Sequence, residues 1–568
     1  MNPAPRRWEM HDHEPLPGFH PLLGRILAGR GLDLGGAHAL LERGDTFHDP
    51  LGLHGMADAV TTLSEVLEAG QRIAVYGDYD ADGVTACALL TMSLRRAGAD
   101  VLPYIPNRMS EGYGLHGAAL DELAAEGVGC VITVDCGTSS VDVARHRPAG
   151  MRLIITDHHL PLSPDGAAPA LAPCDALINP KQPACTYEFD ALCGAGIAWK
   201  LVSALEAQGV MPAGTALLGI GLAALGTVAD MMPLKGENRA IVRRGLETLE
   251  TDPPPGIAAL RAAAGMSGPL RASDLAFGIA PRINAAGRME DARLALDLCL
   301  VTDPQSARDM AARLNAQNID RQRVVATALA DADSRVRELD DDLPAIVLGD
   351  AAWPMGIVGL VAGRLADRYA RPTFVACLDP AEAKGSARSV RDVHIVRALD
   401  AAAPALLRYG GHAQAAGFSL DAANFGEFAT LVSADVAGQL GDARRERVFP
   451  IDAAVAIGDL TPDLCRVLAH LEPCGQGNHQ PLLAAFDCEV MSTRAFGAGR
   501  DHIGLTLAAP DGGVAEAIAF SKPGLLTHLP RGRRIDCLFA AEIDTWQGRE
   551  RVRLRLRDLR PAQPPTGG

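Results

Sequence analysis

Three short apolar runs, each handing over an acidic residue at its end, confine this chain to very few folds. Ile73 to Tyr76 (I-A-V-Y) is followed by Gly77 and then by Asp78, Asp80 and Asp82. Cys130 to Val134 (C-V-I-T-V) delivers Asp135, Cys136 and Gly137, and Met151 to Thr156 (M-R-L-I-I-T) delivers Asp157, His158 and His159. Runs this short, rich in β-branched residues and closed by glycine or polar residues, read as buried strands. Helical patterns separate them, one of them opening at Gly83, so the strands are expected to pair in parallel. Ligands of an open parallel α/β sheet bind beyond the carboxyl ends of its strands. The acids and the histidine pair should therefore meet in one crevice.

Carboxylates at that density repel one another unless a cation or protons hold them together. A solvated acidic loop would account for Asp78, Asp80 and Asp82 alone, but not for three strand ends with matching chemistry. A fourth source is Asp230, in the last turn of an apolar, small-residue helix over 216–234 that Pro233 ends. It either faces water there or needs a partner, since unpaired burial is costly. Oxygen donors with one or two imidazoles suit Mn²⁺ or Mg²⁺, and the imidazole favours Mn²⁺.

Composition bounds the rest. A chain of 568 residues is too long for one core. A net charge of −16 argues against a protein that coats nucleic acid indiscriminately, while leaving a locally basic groove open. Only five of the 53 basic residues are lysine, so an arginine carries meaning by its position alone. The twelve cysteines include no C-x-x-C pair, and Cys174, Cys185 and Cys193 are expected to be reduced thiols rather than a zinc site. The first residues lack the apolar core of a signal peptide and no run could span a bilayer, so a cytoplasmic location is expected.

Along the chain, residues 1–50 read as a small helical lead-in and 51–303 as an α/β catalytic lobe, with a further strand at Val101 to Ile105. Residues 304–340 carry helix formers without a break after Pro304, as one connector helix would. Residues 341–442 return to an α/β pattern, and 443–568 are dominated by short strands. Arg551 to Arg557 alternates arginine with Val552, Leu554 and Leu556, which suits either a polar barrel face or a nucleic-acid surface.

Several of these blocks, in order, resemble the DHH phosphoesterase superfamily: G-D-Y-D-A-D-G (77–83), V-D-C-G (134–137), D-H-H (157–159) and G-T-V-A-D (226–230). A-P-R-I-N-A-A-G-R-M (280–289), N-x-x-N-x-x-R-Q (315–322), G-S-A-R-S (385–389), G-G-H-A-Q-A-A-G-F (410–418) and G-Q-G-N-H-Q-P (475–481) are similar to its branch of exonucleases. The resemblance implies two parallel-sheet lobes joined by a long helix, followed by an oligonucleotide-binding (OB) β-barrel. It implies a 5′→3′ exonuclease specific for single-stranded DNA that releases 5′-mononucleotides by two-metal hydrolysis in recombination and repair. The alternative is a phosphodiesterase of the same superfamily acting on short oligoribonucleotides or cyclic dinucleotides.

By that resemblance Asp80 and Asp82 bind different ions, Asp135 bridges, and His158 and Asp230 complete the second; Asp78 serves the first. His159 sits beside the reacting phosphate, and Asp157 orients the histidines. Ser386, Arg388, Gly411 and His412, assisted by Arg288 and Arg108, are expected to hold a terminal 5′-phosphate through glycine-exposed amides and arginine forks. With aromatics at 4% of the chain, base stacking rests on few residues, and Tyr79, Tyr113 and Trp546 are the candidates. A helicase and a single-strand-binding protein are the implied partners of a monomer. Pro354 and Cys474 depart from the family pattern, at positions usually histidine and aromatic.

Overall fold

Doubly wound sheets place their binding crevice where strand addition reverses direction, and the sheet near the start of this chain has such a point. The computed structural model describes the chain except residues 11, 42–46, 109–110, 163–168, 290, 391, 442–445, 498, 521–528, 547–548 and 563–568, and the side chains at 289, 545 and 546. Residues 1–5 with 45–447 form one unit, and residues 6–44 with 448–568 form another.

In the first unit the strands run Val101–Tyr104, Arg72–Tyr76, Val128–Val134, Arg152–Thr156, Ala176–Ile178, every neighbouring pair parallel. The chain adds Val101–Tyr104 on one side of Arg72–Tyr76 and Val128–Val134 on the other. Asp78, Asp80 and Asp82 follow the first strand of that switch point, and Asp135 follows the second. The strand centres are buried on both faces, which is why they read as unbroken apolar runs. The acidic run is only partly loop. Asp80 caps a helix that starts at Ala81, accepting the amides of Asp82 (2.9 Å) and Gly83 (3.1 Å). Asp82 therefore lies in the first helical turn, not ahead of a helix opening at Gly83.

Helix Pro304–Glu338 is continuous, and its Asp303 cap accepts the Ser306 amide at 2.7 Å. Ala311 and Leu314 belong to the core of the first lobe; Val325, Ala328, Ala332 and Val336 belong to a core shared with the second. That second lobe departs from a parallel sheet. Its order is Arg408–His412, Ala415–Leu420, Ala383–Arg388, Thr373–Cys377, Ile346–Asp350, and only the last pair is parallel. The turn at Ala413 and Gln414 is too short for a crossover, so those strands must pair antiparallel.

In the second unit, strands Leu483–Phe496, His502–Ala508, Val514–Ala519, Arg549–Pro561 and Arg534–Trp546 close into a barrel, because Leu483–Phe496 pairs with Arg534–Trp546 as well. The opening segment contributes to it. Arg6–Met10 is a strand, not part of a helical lead-in; Trp8 Nε1 bonds Asp558 at 2.8 Å, and Leu23, Ile26 and Leu27 enter the barrel core. Of the Arg551–Arg557 stripe, Arg551 and Arg553 pair with Asp544 at 3.0 and 2.6 Å, and Arg555 with Glu542 at 3.6 Å. These arginines meet acids on the adjacent strand. Trp546 lies outside the described side chains. Among the described residues no helix is long and apolar enough to cross a membrane.

Candidate metal centre

The sheet's switch point gathers the expected acids and the histidine pair, Asp135, His158 and His159 forming one group of donor atoms within 4.8 Å. Asp78, Asp80 and Asp135 form one group of donor atoms, and Asp82, His158 and Asp230 another, each within 4.8 Å. Asp135 and His158 join the two, with Asp135 Oδ1 3.0 Å from His158 Nε2; Asp230 Oδ2 lies 3.6 Å from the same nitrogen. Asp230 caps the end of helix Thr215–Ala229. Asp82 is braced from behind by the amides of Gly194 (2.7 Å) and Ala195 (2.9 Å), at the start of helix Gly194–Ala207. Gly226, from the motif around Asp230, passes so close that a Cβ there would lie 2.4 Å from Asp82 Oδ1. Asp135 itself adopts a left-handed backbone (φ 65°), a strained conformation that places its carboxylate in the group.

Among the described residues no arginine or lysine forms an ion pair with these carboxylates. Asp78 Oδ1, Asp135 Oδ1 and His158 Nδ1 are buried without a hydrogen-bond partner among the described residues. The 3.0 Å approach of His158 to Asp135 lacks hydrogen-bond geometry, so the two atoms are neighbours rather than donor and acceptor. Burial, then Asp82 and Asp80, raises Asp230 to about 8; burial, then Asp80, raises Asp82 to about 6. Burial and the surrounding carboxylates push Asp78 and Asp135 well up. Burial, then His159, lowers His158 to about 3, which leaves a neutral imidazole. Oxygen donors with one neutral imidazole, left unsatisfied and costly to charge, fit divalent cations of the Mn²⁺ or Mg²⁺ type.

Beside this group lies a hydrogen-bonded turn. Asp157 Oδ2 accepts the Thr138 amide at 2.9 Å, while Oδ1 faces the D-H-H backbone and His159 Nδ1. Burial opposes protonation of His159, yet the contact with Asp157 leaves its pKa above the ordinary value. Tyr113, expected as a stacking platform, instead brings its hydroxyl to 3.0 Å from His159 Nδ1 and 3.3 Å from the Asp135 carbonyl. Tyr79 lies under Arg108, whose guanidinium is 4.8 Å from the ring centroid.

The expected phosphate-binding residues divide. Arg388 Nη1 donates to Ser386 Oγ at 2.8 Å, and Arg288 Nη1 to the Gly356 carbonyl at 3.1 Å. The charges felt by Arg288 are those of Arg108, Arg321, Asp80 and Arg388; burial first, then the arginines, lower its pKa to about 10. These side chains form a basic group next to Asp80. His412 and the adjoining Gly411 are on an exposed strand, and His412 is instead near His159 and Lys181. Gly411 has φ 149°, and a Cβ would lie 2.4 Å from the Ala415 carbonyl. Of the two departures, Pro354 caps helix Met355–Tyr369, whose Gly356 meets Arg288; Cys474 is half-buried.

Sequence reasoning missed several supporting residues. Asn284 Oδ1 accepts the Ala81 amide at 2.8 Å, and Asn179 Nδ2 donates to the His159 carbonyl at 2.8 Å. Asn284 lies inside the quoted 280–289 block, but only the fold reveals that it caps the acidic helix.

An acidic cation cradle at the switch point of the first lobe, with arginines of both lobes beside it, is the arrangement of a DHH phosphoesterase. The chain matches models of the DHH family N-terminal domain over residues 72–226, the DHHA1 domain over 342–438 and the RecJ OB domain over 451–558. It belongs to the RecJ family. It is 35% identical to the single-stranded-DNA-specific exonuclease RecJ of Thermus thermophilus over 571 residues, covering 99% of this chain and 80% of that protein. Its identity to the Escherichia coli RecJ is 31% over 583 residues, covering 98% and 99%. The fold matches the crystal structure of Thermus thermophilus RecJ in complex with Mn²⁺ with a TM-score of 0.80, at 32% identity and covering 99% of this chain and 80% of that one. A structure of exonuclease RecJ bound to manganese matches 68% of this chain and 95% of its own, with a TM-score of 0.58 and 37% identity.

Proposed function

We propose that this protein is a metal-dependent exonuclease that degrades single-stranded DNA from its 5′ end, releasing 5′-mononucleotides in DNA repair and recombination. The observation that carries this reading is the meeting of Asp78, Asp80, Asp82, Asp135, His158 and Asp230 at one switch point, with buried donor atoms left unpaired. Bound cations there supply polarisation of the phosphodiester and acidification of water. Asp78, Asp80 and Asp135 would hold one cation, and Asp82, His158 and Asp230 the other, Asp135 lying next to both groups. His159, whose protonated form the Asp157 contact favours, stabilises charge on the phosphate and gives a proton to the departing 3′-oxygen.

Ser386, Arg388, Arg288 and Arg108 take the terminal 5′-phosphate, which sets the direction of digestion. Gly411 and His412 close the site from the second lobe. The barrel suits a run of single strand. An enzyme that accepts only single strands needs duplexes opened ahead of it and bare strands kept open, so a helicase and a single-strand-binding protein are its working partners. We place the protein in the cytoplasm as a monomer.

Digestion of single strands labelled at the 5′ or the 3′ end, with Mn²⁺ or Mg²⁺ and an Asp135→Ala control, tests the reading. Early release of the 5′ label as a mononucleotide is expected. Early release of the 3′ label, or activity confined to dinucleotides, refutes it.

A further inference from the structure

The barrel has a pocket of its own on its outer wall. Ile503, Leu505 and Leu507 belong to the barrel core, so the alternation of strand His502–Ala508 turns Gly504 and Thr506 outward. Register places Ser492 and Arg494 opposite Thr506 and Gly504 on one side, and Glu516 opposite Thr506 on the other. These residues and Arg551 line a cavity of about 310 Å³. Its polar groups are already ordered. Ser492 Oγ donates to Thr506 Oγ1 at 2.9 Å, and Thr506 Oγ1 donates to Glu516 Oε1 at 3.0 Å. The other carboxylate oxygen of Glu516 lies 4.0 Å from Arg494 Nη2. Gly504 leaves room for that arginine, since a Cβ there would lie 3.0 Å from Arg494 Nε. Arg551 is held in turn by Asp544 at 3.0 Å.

That lining restricts the occupant. The Glu516 carboxylate repels a phosphate, and an apolar side chain would leave the hydroxyls and the carboxylate without partners. A nucleobase edge, with donors and acceptors side by side, satisfies both. Among the DNA bases only guanine offers two neighbouring donors, N1–H and the N2 amine, beside an acceptor, O6; a carboxylate can take the donors and a guanidinium the acceptor. The same wall carries aromatic rings. Phe496 and His502 stand opposite one another on the two strands that hold Arg494 and Gly504, and Phe520 follows the strand of Glu516. Ring centroids lie 5.4 Å apart for Phe496 and His502, 5.1 Å for His502 and Phe520, and 6.5 Å for Phe496 and Phe520. Phe520 is exposed, with the Arg555 guanidinium 5.4 Å from its centroid. OB barrels bind oligonucleotides across their second and third strands, which here are His502–Ala508 and Val514–Ala519. We infer that the pocket reads a guanine base of the single strand, Glu516 accepting from N1 and N2 and Arg494 donating to O6. This rests on the single-stranded-DNA reading and adds a base preference to it.

Binding in metal-free buffer, where no strand is cut, tests it on the full chain. Fluorescence anisotropy compares labelled oligothymidylate with strands of the same length in which every third base is dG, dA or dC. The dG strand is expected to bind about tenfold more tightly than the other three. Glu516→Gln keeps the size of the side chain and replaces one acceptor with a donor. The dG advantage, read as a ratio of Kd to oligothymidylate, should then vanish. Arg494→Ala should lower the same ratio about threefold. Both positions are on the outer wall, and far-UV spectra check that the variants fold. Equal Kd values for the four strands, or a dG advantage that survives Glu516→Gln, overturn the pocket. Failure of the wild type to bind any of the strands refutes the single-strand reading, and the pocket with it.

Discussion

Asp157 holds His159 through a single oxygen: its Oδ1 lies 2.8 Å from His159 Nδ1 and also accepts the His159 amide at 3.0 Å and the His158 amide at 2.7 Å. One atom thus fixes both the turn and the ring. Burial would raise the Asp157 carboxyl, but His159 and the backbone amides outweigh it and lower it to about 2.

Replacing Asp157 with Asn keeps the shape and removes the charge that favours protonated His159. The expected result is a fall in kcat of about 100-fold, with the alkaline limb of the pH profile moved to lower pH. A kcat–pH series of the two enzymes checks it. An alkaline limb that stays in place would take His159 out of proton donation.

Metal removal should expose the strain of the acidic cradle. Asp230 and Asp82 have folded pKa values raised to about 8 and about 6, above the usual 3.8. The folded, metal-free protein therefore binds more protons than the unfolded chain, and its stability falls as pH rises from about 4 towards 8. Mn²⁺ should raise Tm more at pH 8 than at pH 6, measured against chelated protein by thermal melting. An equal rise at both would contradict the burial of these charges.

Gly226→Ala would put a methyl group 2.4 Å from Asp82 Oδ1 and 2.5 Å from the Ala195 Cβ. We expect Mn²⁺ affinity to drop at least tenfold while the far-UV spectrum is retained. Calorimetric titration of Mn²⁺ is the measurement.

Arg388→Ala tests end recognition. Its Nη1 to Ser386 Oγ contact orients the fork beside the Asp80 side of the centre. Turnover of 5′-phosphorylated strands should fall about tenfold relative to 5′-hydroxyl strands. Equal loss on both would assign Arg388 to general binding.

Asp333 ties the connector helix to the second lobe, with Arg368 Nη1 at 2.5 Å and the Tyr369 hydroxyl at 2.8 Å. Burial favours a higher pKa, but these donors win and depress it. The contribution is present above the unfolded pKa and is lost as pH falls through the folded value. Asp333→Asn should lower stability by about 2 kcal/mol at pH 7, with the gap to wild type closing at pH 3. Denaturant melts at both values would reveal it.

The catalytic half of the fold was legible because parallel strands buried on both faces leave plain apolar runs, and each run ends where its acid must emerge. Asp78, Asp80, Asp135 and His158 could thus be placed from sequence order alone. The second lobe was harder: Ala383–Arg388 and Arg408–His412 are short, glycine-bearing strands, and nothing in them announces antiparallel pairing. Arg6–Met10 was lost for a related reason, since its partner lies hundreds of residues away. Tyr113 was expected for its ring, since no spacing announces that its hydroxyl reaches His159 Nδ1; Asn179 and Asn284 escaped because their contacts arise only in the tertiary structure. Of the two readings left open for the stripe at 551–557, the polar barrel face agrees with the ion pairs of Arg551, Arg553 and Arg555 to Asp544 and Glu542, on a strand that alternation cannot see.

The helix Pro304–Glu338 supplies one wall to each of two hydrophobic interiors. Neither interior can melt without stripping a wall from the other, so residues 45–447 should denature in one step. Cutting and the inspection of the strand's end are then lost together, and heat or mutation leaves no half-enzyme that cleaves without first checking for a terminus.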